Sequence, residues 1–187
     1  DSCDLAYIYV PQSKSQLENA VDLWVDDVDA ALEAYGEINT WDVSLITDMS
    51  GLFYGKNTFN DDIGNWDVSS VTDMSDMFKN ATSFNQDIGS WDVSNVTNMS
   101  YMFYDADVFN GDISSWDVSS VENMSYMFKD ANVFNVDISS WDVSSLTNMR
   151  SMLARAYDFN QDVSSWDVSN VTNMHGVFSY ASSFNQD

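Results

Sequence analysis

The chain has few cationic side chains, and this scarcity limits its partners. Its 187 residues include six Lys and Arg against thirty Asp and Glu, which gives a formal net charge of −24. Nucleic acid is not expected as a partner, because phosphate contacts need cations on the protein. An anionic membrane surface is disfavoured for the same reason, whereas cations and basic or neutral polar surfaces are favoured.

Cysteine, histidine and long apolar runs are also scarce. There is a single cysteine, Cys3, so no disulfide can form within the chain. Cys3 is expected to be an incidental thiol or, alternatively, to form a disulfide with a cysteine outside this sequence. The single histidine, His175, is expected to be solvated rather than a metal ligand or a general base. No apolar run is long enough to insert directly into a membrane. With no nucleophile beside a base and no phosphate-binding glycine loop, we expect no enzymatic activity.

The tetrapeptide Trp-Asp-Val-Ser recurs throughout the chain at a constant spacing. Its tryptophans stand at positions 41, 66, 91, 116, 141 and 166, always 25 residues apart. A fixed period predicts one structural unit that is copied and stacked. Hydrophobic residues make up 44% of the chain, so there is enough apolar material for a core despite the charge.

Each unit is expected to contain a strand and a short helical turn. Residues 91–94 alternate apolar and polar side chains, which predicts a strand with one apolar face. Apolar residues then recur at helical spacing over residues 96–106, which predicts one or two helical turns. The pattern therefore predicts an α/β repeat solenoid with a parallel sheet along one side. We expect about six such units over residues 37–187, the last one truncated.

The two ends of the stack differ. Residues 1–36 are expected to form an N-terminal segment and a capping helix, roughly 16–35, which ends at Gly36 and covers the first unit. The chain reaches Asp187 just before a further strand would begin, and no second cap is visible. We expect this end to pair with further copies or repeats, or with another partner.

The repeat resembles that of the BspA-like leucine-rich-repeat surface proteins, which occurs in mycoplasma lipoproteins, marine bacteria and protists. The residues that carry the resemblance are FNQDIGSWDVSNVTNMSYMF, positions 84–103, and it extends over about residues 37–187. The resemblance implies a leucine-rich-repeat-like right-handed superhelix and an extracellular or cell-surface location. It implies no catalytic chemistry.

Stacking would align the aspartates of the tetrapeptides into a column. With Trp and Val inside, these aspartates and the flanking serines face outward and form a candidate binding face. The opposite register would place six tryptophans outside as a stacking platform, but it would bury carboxylates at high cost. The residues of the predicted face are Asp42, Asp67, Asp92, Asp117, Asp142 and Asp167, with Ser44, Ser69, Ser94, Ser119, Ser144 and Ser169.

A second acidic column precedes each tetrapeptide. Like charges about 4.8 Å apart repel by roughly 1 kcal/mol per pair in water, so both columns need compensation. Local hydrogen bonds, salt screening and Ca²⁺ between the units are the available remedies, and the first two are the simpler explanation. Ca²⁺ is thus the one possible cofactor. Its candidate ligands are Asp62, Asp87, Asp112, Asp137 and Asp162, with Asp187 in line.

Two functions fit these features best. The first is a non-enzymatic extracellular or cell-surface module for binding or adhesion, which presents the Asp/Ser face to a protein or glycan surface. The second is a structural segment of a larger surface fibre or assembly that grows through the end at Asp187. Multi-site binding of calcium or mineral is a weaker third possibility. If a eukaryotic cell secretes the protein, Asn80 is the best-placed glycan acceptor.

Overall fold

A computed structural model describes residues 8–186, and its regular elements all lie before the repeats. Helix α1 spans Lys14–Asp26, helix α2 spans Val28–Tyr35, and a 3₁₀ turn covers Ile38–Thr40. From Trp41 to the end of the described part, the backbone forms turns, with neither a helix nor a strand of more than isolated pairs. The predicted α/β solenoid, with a strand and a helical turn in each leucine-rich-repeat-like unit, is therefore wrong.

The predicted strand is absent because its backbone groups are used locally. In residues 91–94 the Ser94 N–H donates to Oδ1 of Asp92 at 3.1 Å. Directly afterwards, the Val96 N–H donates to the Val93 carbonyl at 2.9 Å and closes a turn. Backbone N–H groups that are hydrogen-bonded within turns cannot also form the hydrogen bonds of a β-sheet with the next unit.

The predicted helical turn is replaced by overlapping β-turns. Tyr101 and Asp105 have left-handed backbone angles, with φ of 60° and 56°, which a right-handed helix does not contain. The Met102 N–H closes a turn onto the Met99 carbonyl at 3.3 Å, but the Tyr101 N–H leaves the unit and reaches the Ser125 carbonyl at 2.9 Å. Along this segment, one N–H group donates within a local turn and the next donates to the neighbouring unit.

These turn-built units still stack, and hydrogen bonds connect each to the next. We number the repeats one to six, covering residues 38–62, 63–87, 88–112, 113–137, 138–162 and 163–187. In each of repeats one to five, four N–H groups donate to carbonyls of the following repeat, and one to three backbone bonds return from that repeat. From repeat three the forward bonds are Met99 to Asn123, Tyr101 to Ser125, Phe103 to Met127 and Asp105 to Lys129, all at 2.9 Å. Pairing between repeats therefore exists without a sheet.

The tryptophans form the spine of the core. All six in the tetrapeptides are buried, with at most 9% of the residue's surface exposed. From repeat two onward, each indole N–H donates to a carbonyl of the preceding repeat; that of Trp66, for example, reaches Ile38 at 2.8 Å. A buried indole N–H needs such an acceptor. The prediction that the tryptophans face inward is confirmed, and the alternative of an exposed aromatic platform is wrong.

Two columns of stacked phenylalanine rings run beside the tryptophans. In repeats one to four, Phe53, Phe78, Phe103 and Phe128 lie 5.2–5.6 Å apart between ring centroids. A second column lies next to it, and within repeat three its member Phe109 is 3.9 Å from Phe103. In repeat five, Leu153 takes the place of the first-column ring and is fully buried.

The N-terminal cap differs from its prediction in having two helices. The single predicted helix is broken at Asp27, whose side chain accepts the Ala30 N–H at 3.1 Å and starts α2. The cap covers repeat one through Trp24, which lies edge-on to Trp41 with ring centroids 6.0 Å apart. The Tyr9 carbonyl also accepts the Asp42 N–H at 2.9 Å. The boundary at residue 36 stays a prediction. So does the role of Cys3, which lies outside the described residues.

We expect Phe103→Ala to destabilise the protein by about 3–5 kcal/mol, because it opens a cavity inside a continuous ring column. The ring of Phe103 contacts Phe78 and Phe128 on either side. Chemical denaturation followed by tryptophan fluorescence measures the loss. Phe103→Leu is the matched control and should cost much less, because Leu153 fills the same position in repeat five. Equal losses for the two variants would contradict this account of the core.

Candidate binding face

The aspartates of the tetrapeptides form an exposed column, here called the tetrapeptide column. Each holds the turn that follows it: Oδ1 of Asp92 accepts the Ser94 N–H at 3.1 Å and the Ser94 hydroxyl at 2.6 Å. The same N–H contact recurs in all six repeats, at 3.0–3.1 Å. In the predicted face, all six aspartates are exposed and each is hydrogen-bonded to the serine of its own repeat; the residues are Asp42, Asp67, Asp92, Asp117, Asp142 and Asp167 with Ser44, Ser69, Ser94, Ser119, Ser144 and Ser169.

The second acidic column, here called the junction column, has the same local geometry. Oδ1 of Asp112 accepts the Ser114 N–H at 3.0 Å, and the carboxylate is exposed. Equivalent contacts are made by Asp62, Asp87, Asp137 and Asp162. Asp187 lies outside the described residues. Each carboxylate of both columns is thus oriented by its own turn rather than by a neighbouring repeat.

Hydrogen bonding outweighs repulsion along the columns. The pKa of Asp92 is lowered chiefly by the Ser94 hydroxyl and N–H, while the charge of Asp67 in the preceding repeat raises it by less. The pKa values of Asp137 and Asp167 are also lowered, with serine donors as the main cause. Of the three predicted remedies for the repulsion, local hydrogen bonding is present in the structure.

A third column of Asn and Asp marks the points where repeats pair. Oδ1 of Asn98 accepts the Ser100 N–H at 3.1 Å, and its Nδ2 lies 3.3 Å from the Asp73 carboxylate in the preceding repeat. The isolated parallel backbone pairs join Asp48, Asp73, Asn98, Asn123, Asn148 and Asn173 in sequence. This geometry gives the column a structural role, because its side chains hold turns and its backbone pairs one repeat with the next.

The described residues contain no group of three or more His, Cys, Asp or Glu side chains arranged to hold a metal ion. Calcium binding by the junction column therefore stays a prediction. A polar cleft of about 310 Å³ opens between the last two described members of that column, Asp137 and Asp162. Its remaining lining residues are Ser139, Gln161, Ser164 and Ser165.

Sequence reasoning missed a stripe of alternating tyrosine and lysine. Tyr54, Lys79, Tyr104 and Lys129 occupy one position of repeats one to four. The Lys79 ammonium lies 5.3 Å from the ring centroid of Tyr54 and 5.7 Å from that of Tyr104, while Lys129 lies 4.6 Å from Tyr104. Each lysine thereby gains a cation–π contact with an adjacent repeat. The alternation was visible in the sequence once this position was compared between repeats.

The predicted glycan acceptor has a constrained environment. Asn80 is only partly exposed and adopts a left-handed backbone with φ of 60°. Its Oδ1 is buried without a hydrogen-bond partner among the described residues. Glycosylation at Asn80 stays a prediction.

The geometry defines a repeat protein of stacked turns with a helical cap and an acidic face. The sequence matches the model of the family described as "Mycoplasma protein of unknown function, DUF285", over residues 25–135 and again over 111–187. The chain therefore belongs to this family. No curated protein and no solved structure matches it. In residues 8–186, neither helix has the length and apolar character required to cross a membrane.

We expect the protein to lose stability in acid, as the hydrogen-bonded aspartates are protonated. Asp42 and Asp92, for example, have folded pKa values below the ordinary 3.8, so the stability that they contribute is present above about pH 3.8 and lost as the pH falls further. The pKa of Asp105 is raised by burial, which acts in the opposite direction. The aspartates with a lowered pKa outnumber it: Asp42, Asp48, Asp92, Asp112, Asp137, Asp142, Asp162 and Asp167.

Thermal unfolding between pH 5 and pH 2.5 measures this loss. The double variant Ser44→Ala, Ser94→Ala removes two hydroxyl donors and should weaken the pH dependence. The variant Ser70→Ala, Ser120→Ala alters serines that directly follow this kind of turn and should leave it unchanged. A Tm that rises as the pH falls below 3.8 would show that relief of repulsion dominates instead.

Proposed function

We propose that the protein is a non-enzymatic binding or adhesion module that acts outside the cell or at its surface, as its resemblance to BspA-like surface proteins suggests. The observation that carries this proposal is the tetrapeptide column. It presents one exposed carboxylate per repeat on a scaffold whose aromatic core is buried. Identical groups at a constant spacing favour binding at several points at once.

The chemistry of the column favours a basic partner surface. In Asp92 and Asp117, Oδ1 is held by the following serine, whereas Oδ2 makes no hydrogen bond within the described residues. Each repeat therefore offers a fixed acceptor to a cation or a hydrogen-bond donor. A basic protein surface supplies both, and a glycan hydroxyl or a bridging cation supplies one.

The net charge of −24 also supports a basic partner surface, because it attracts such surfaces over a distance and repels nucleic acid. The alternative role, a structural segment of a surface fibre or assembly, would use the end of the stack instead of its acidic side. Multi-site calcium binding is the weaker alternative, and its residues would be those of the junction column.

We expect the variant Asp67→Asn, Asp92→Asn, Asp117→Asn, Asp142→Asn to bind a fluorescent octalysine peptide about tenfold more weakly than the parent at low salt. An asparagine oxygen can keep the turn, as Asn98 does by accepting the Ser100 N–H. The substitution therefore removes charge while preserving the fold. Fluorescence anisotropy across a salt series provides the measurement.

A control variant removes the same charge elsewhere. Asp26→Asn, Asp29→Asn, Glu33→Gln and Glu37→Gln change exposed side chains of the cap region. This variant should retain most of the affinity for octalysine. If both variants weaken binding equally, the peptide responds to net charge alone and the proposed face is wrong.

For the calcium alternative, titration calorimetry with Ca²⁺ is the direct measurement. If the junction column binds, heat and a rise in Tm are expected, and Asp112→Asn with Asp137→Asn should reduce both. Substitutions in the tetrapeptide column, Asp92→Asn with Asp117→Asn, serve as the matched control. A titration with neither heat nor stabilisation rejects this alternative.

A further inference from the structure

A polar cleft lies between helix α1 and repeat one, and we call it the cap cleft. It has a volume of about 270 Å³. Helix α1 contributes Glu18, Asn19 and Asp22 to its lining, and repeat one contributes Tyr54 and Lys56. Both sides belong to internal segments of the chain, so the cleft is a feature of the contact between the cap and the repeats.

A glycine leaves room in the cap cleft. Gly51 is part of the lining, and a Cβ added to it would meet no atom within 4 Å. Its φ of 68° does not by itself require glycine. Asp76, Tyr101 and Tyr126 hold the same position of repeats two to four with φ of 57–61°. The absent side chain, rather than the backbone, therefore distinguishes repeat one at this position.

The ring of Tyr54 presents a flat apolar surface to the cap cleft. Lys79 lies over this ring from the side of repeat two, 5.3 Å from the centroid. Tyr104, the equivalent residue two repeats later, has a lysine on both sides, with Lys79 at 5.7 Å and Lys129 at 4.6 Å. On the cap side of Tyr54, the cleft stands where a second lysine would be, and Tyr54 is 53% exposed. One face of this ring is therefore open to a ligand.

The polar groups of the cap cleft are mixed in kind and balanced in charge. The Lys56 ammonium donates to the Asp22 carboxylate. The Lys14 ammonium lies 3.9 Å from the Glu18 carboxylate. The Asn19 side chain adds both a donor and an acceptor to the lining. A charged ligand would thus meet no net opposite charge, whereas a ligand with several hydroxyl groups would meet donors and acceptors together.

We propose that the cap cleft binds one sugar unit of an uncharged glycan. A pyranose ring has an apolar face of C–H groups, which packs on the open face of Tyr54. Its hydroxyl groups hydrogen-bond to the side chains of Glu18, Asn19 and Asp22. The cleft has the size for a single unit, because sites for larger, drug-sized ligands occupy roughly 300–1,000 Å³. This inference uses no residue of the tetrapeptide column and is independent of the acidic face.

Saturation-transfer NMR on the full chain tests the proposal. The probes are the methyl glycosides of glucose, galactose, mannose, fucose and N-acetylglucosamine, each at about 20 mM, because one sugar unit in an open cleft is expected to bind with a Kd on the order of 1 mM. At least one probe should receive saturation, and the side-chain amide signals of Asn19 should shift as it is added. Transfer to none of the five would overturn the proposal.

A substitution at the glycine localises the binding. Gly51→Tyr introduces the side chain that Tyr101 has at this position, so the variant is expected to fold with the cleft filled. Its affinity for the sugar should fall by at least about tenfold. Gly55→Asn is the matched control, because it introduces the residue of repeat two, Asn80, at a left-handed position outside the lining. Equal behaviour of the two variants would contradict the assignment to this cleft.

Substitutions at two tyrosines test the role of the open ring face. Tyr54→Ala should abolish sugar binding, whereas Tyr54→Phe keeps the ring and should retain most of it. Tyr104→Ala removes a ring that has lysines on both sides and should leave binding unchanged. Equal loss in the two alanine variants would show that stability, rather than the ring face, governs the signal.

Salt and a cationic probe separate this site from the acidic face. Binding of an uncharged sugar should be the same at low salt and in about 0.5 M NaCl, whereas octalysine binding to the tetrapeptide column should weaken. The Asp→Asn variant of that column should bind the sugar as the parent does. If tetramethylammonium binds more tightly than every sugar, and Glu18→Gln abolishes this binding, the ligand is an organic cation and the proposal is wrong.

Discussion

The fold depends on how each repeat divides its backbone N–H groups. In the run from Met99 to Asp105, alternate N–H groups close local turns, and the others donate to the next repeat. Left-handed residues at Tyr101 and Asp105 permit this alternation, because they reverse the direction of the peptide groups. Stacking of the indole and phenyl rings follows from this pairing, since it fixes one register for every repeat. The core and the backbone pairing therefore support each other along the whole stack.

The acidic face also results from the way in which backbone N–H groups find their acceptors. Where no neighbouring repeat provides an acceptor, an aspartate side chain does so from two residues away, as Asp92 does for Ser94. The carboxylates are thus part of the scaffold and also its most exposed charged groups. The lowered pKa values of Asp92 and Asp167 indicate that local donors outweigh the repulsion between repeats at these two positions. The same carboxylates therefore carry the surface charge and hold the turns that fix their positions.

Some of this structure was predictable from the sequence and some was not. The period placed Trp91 in the core and Asp92 at the surface correctly, because alternation fixes sidedness in any extended segment. It could not separate a strand from a pair of turns, since both place alternate residues on opposite sides. Apolar spacing after residue 95 suited overlapping turns as well as a helix. A sign of the left-handed backbone was present but overlooked, because Gly51 and Gly55 stand in repeat one at the positions of Tyr101 and Asp105. The break at Asp27 was hidden, because an apolar period continues across it.

The tyrosine–lysine stripe makes the repeats unequal. Deleting repeat three as a unit would bring Lys79 and Lys129 into adjacent rungs and replace a ring–cation contact with two like charges. Deleting repeats two and three together would leave Tyr54 beside Lys129 and restore the alternation. Along this stretch, removing repeats in pairs therefore keeps every lysine next to a tyrosine, whereas removing a single inner repeat does not.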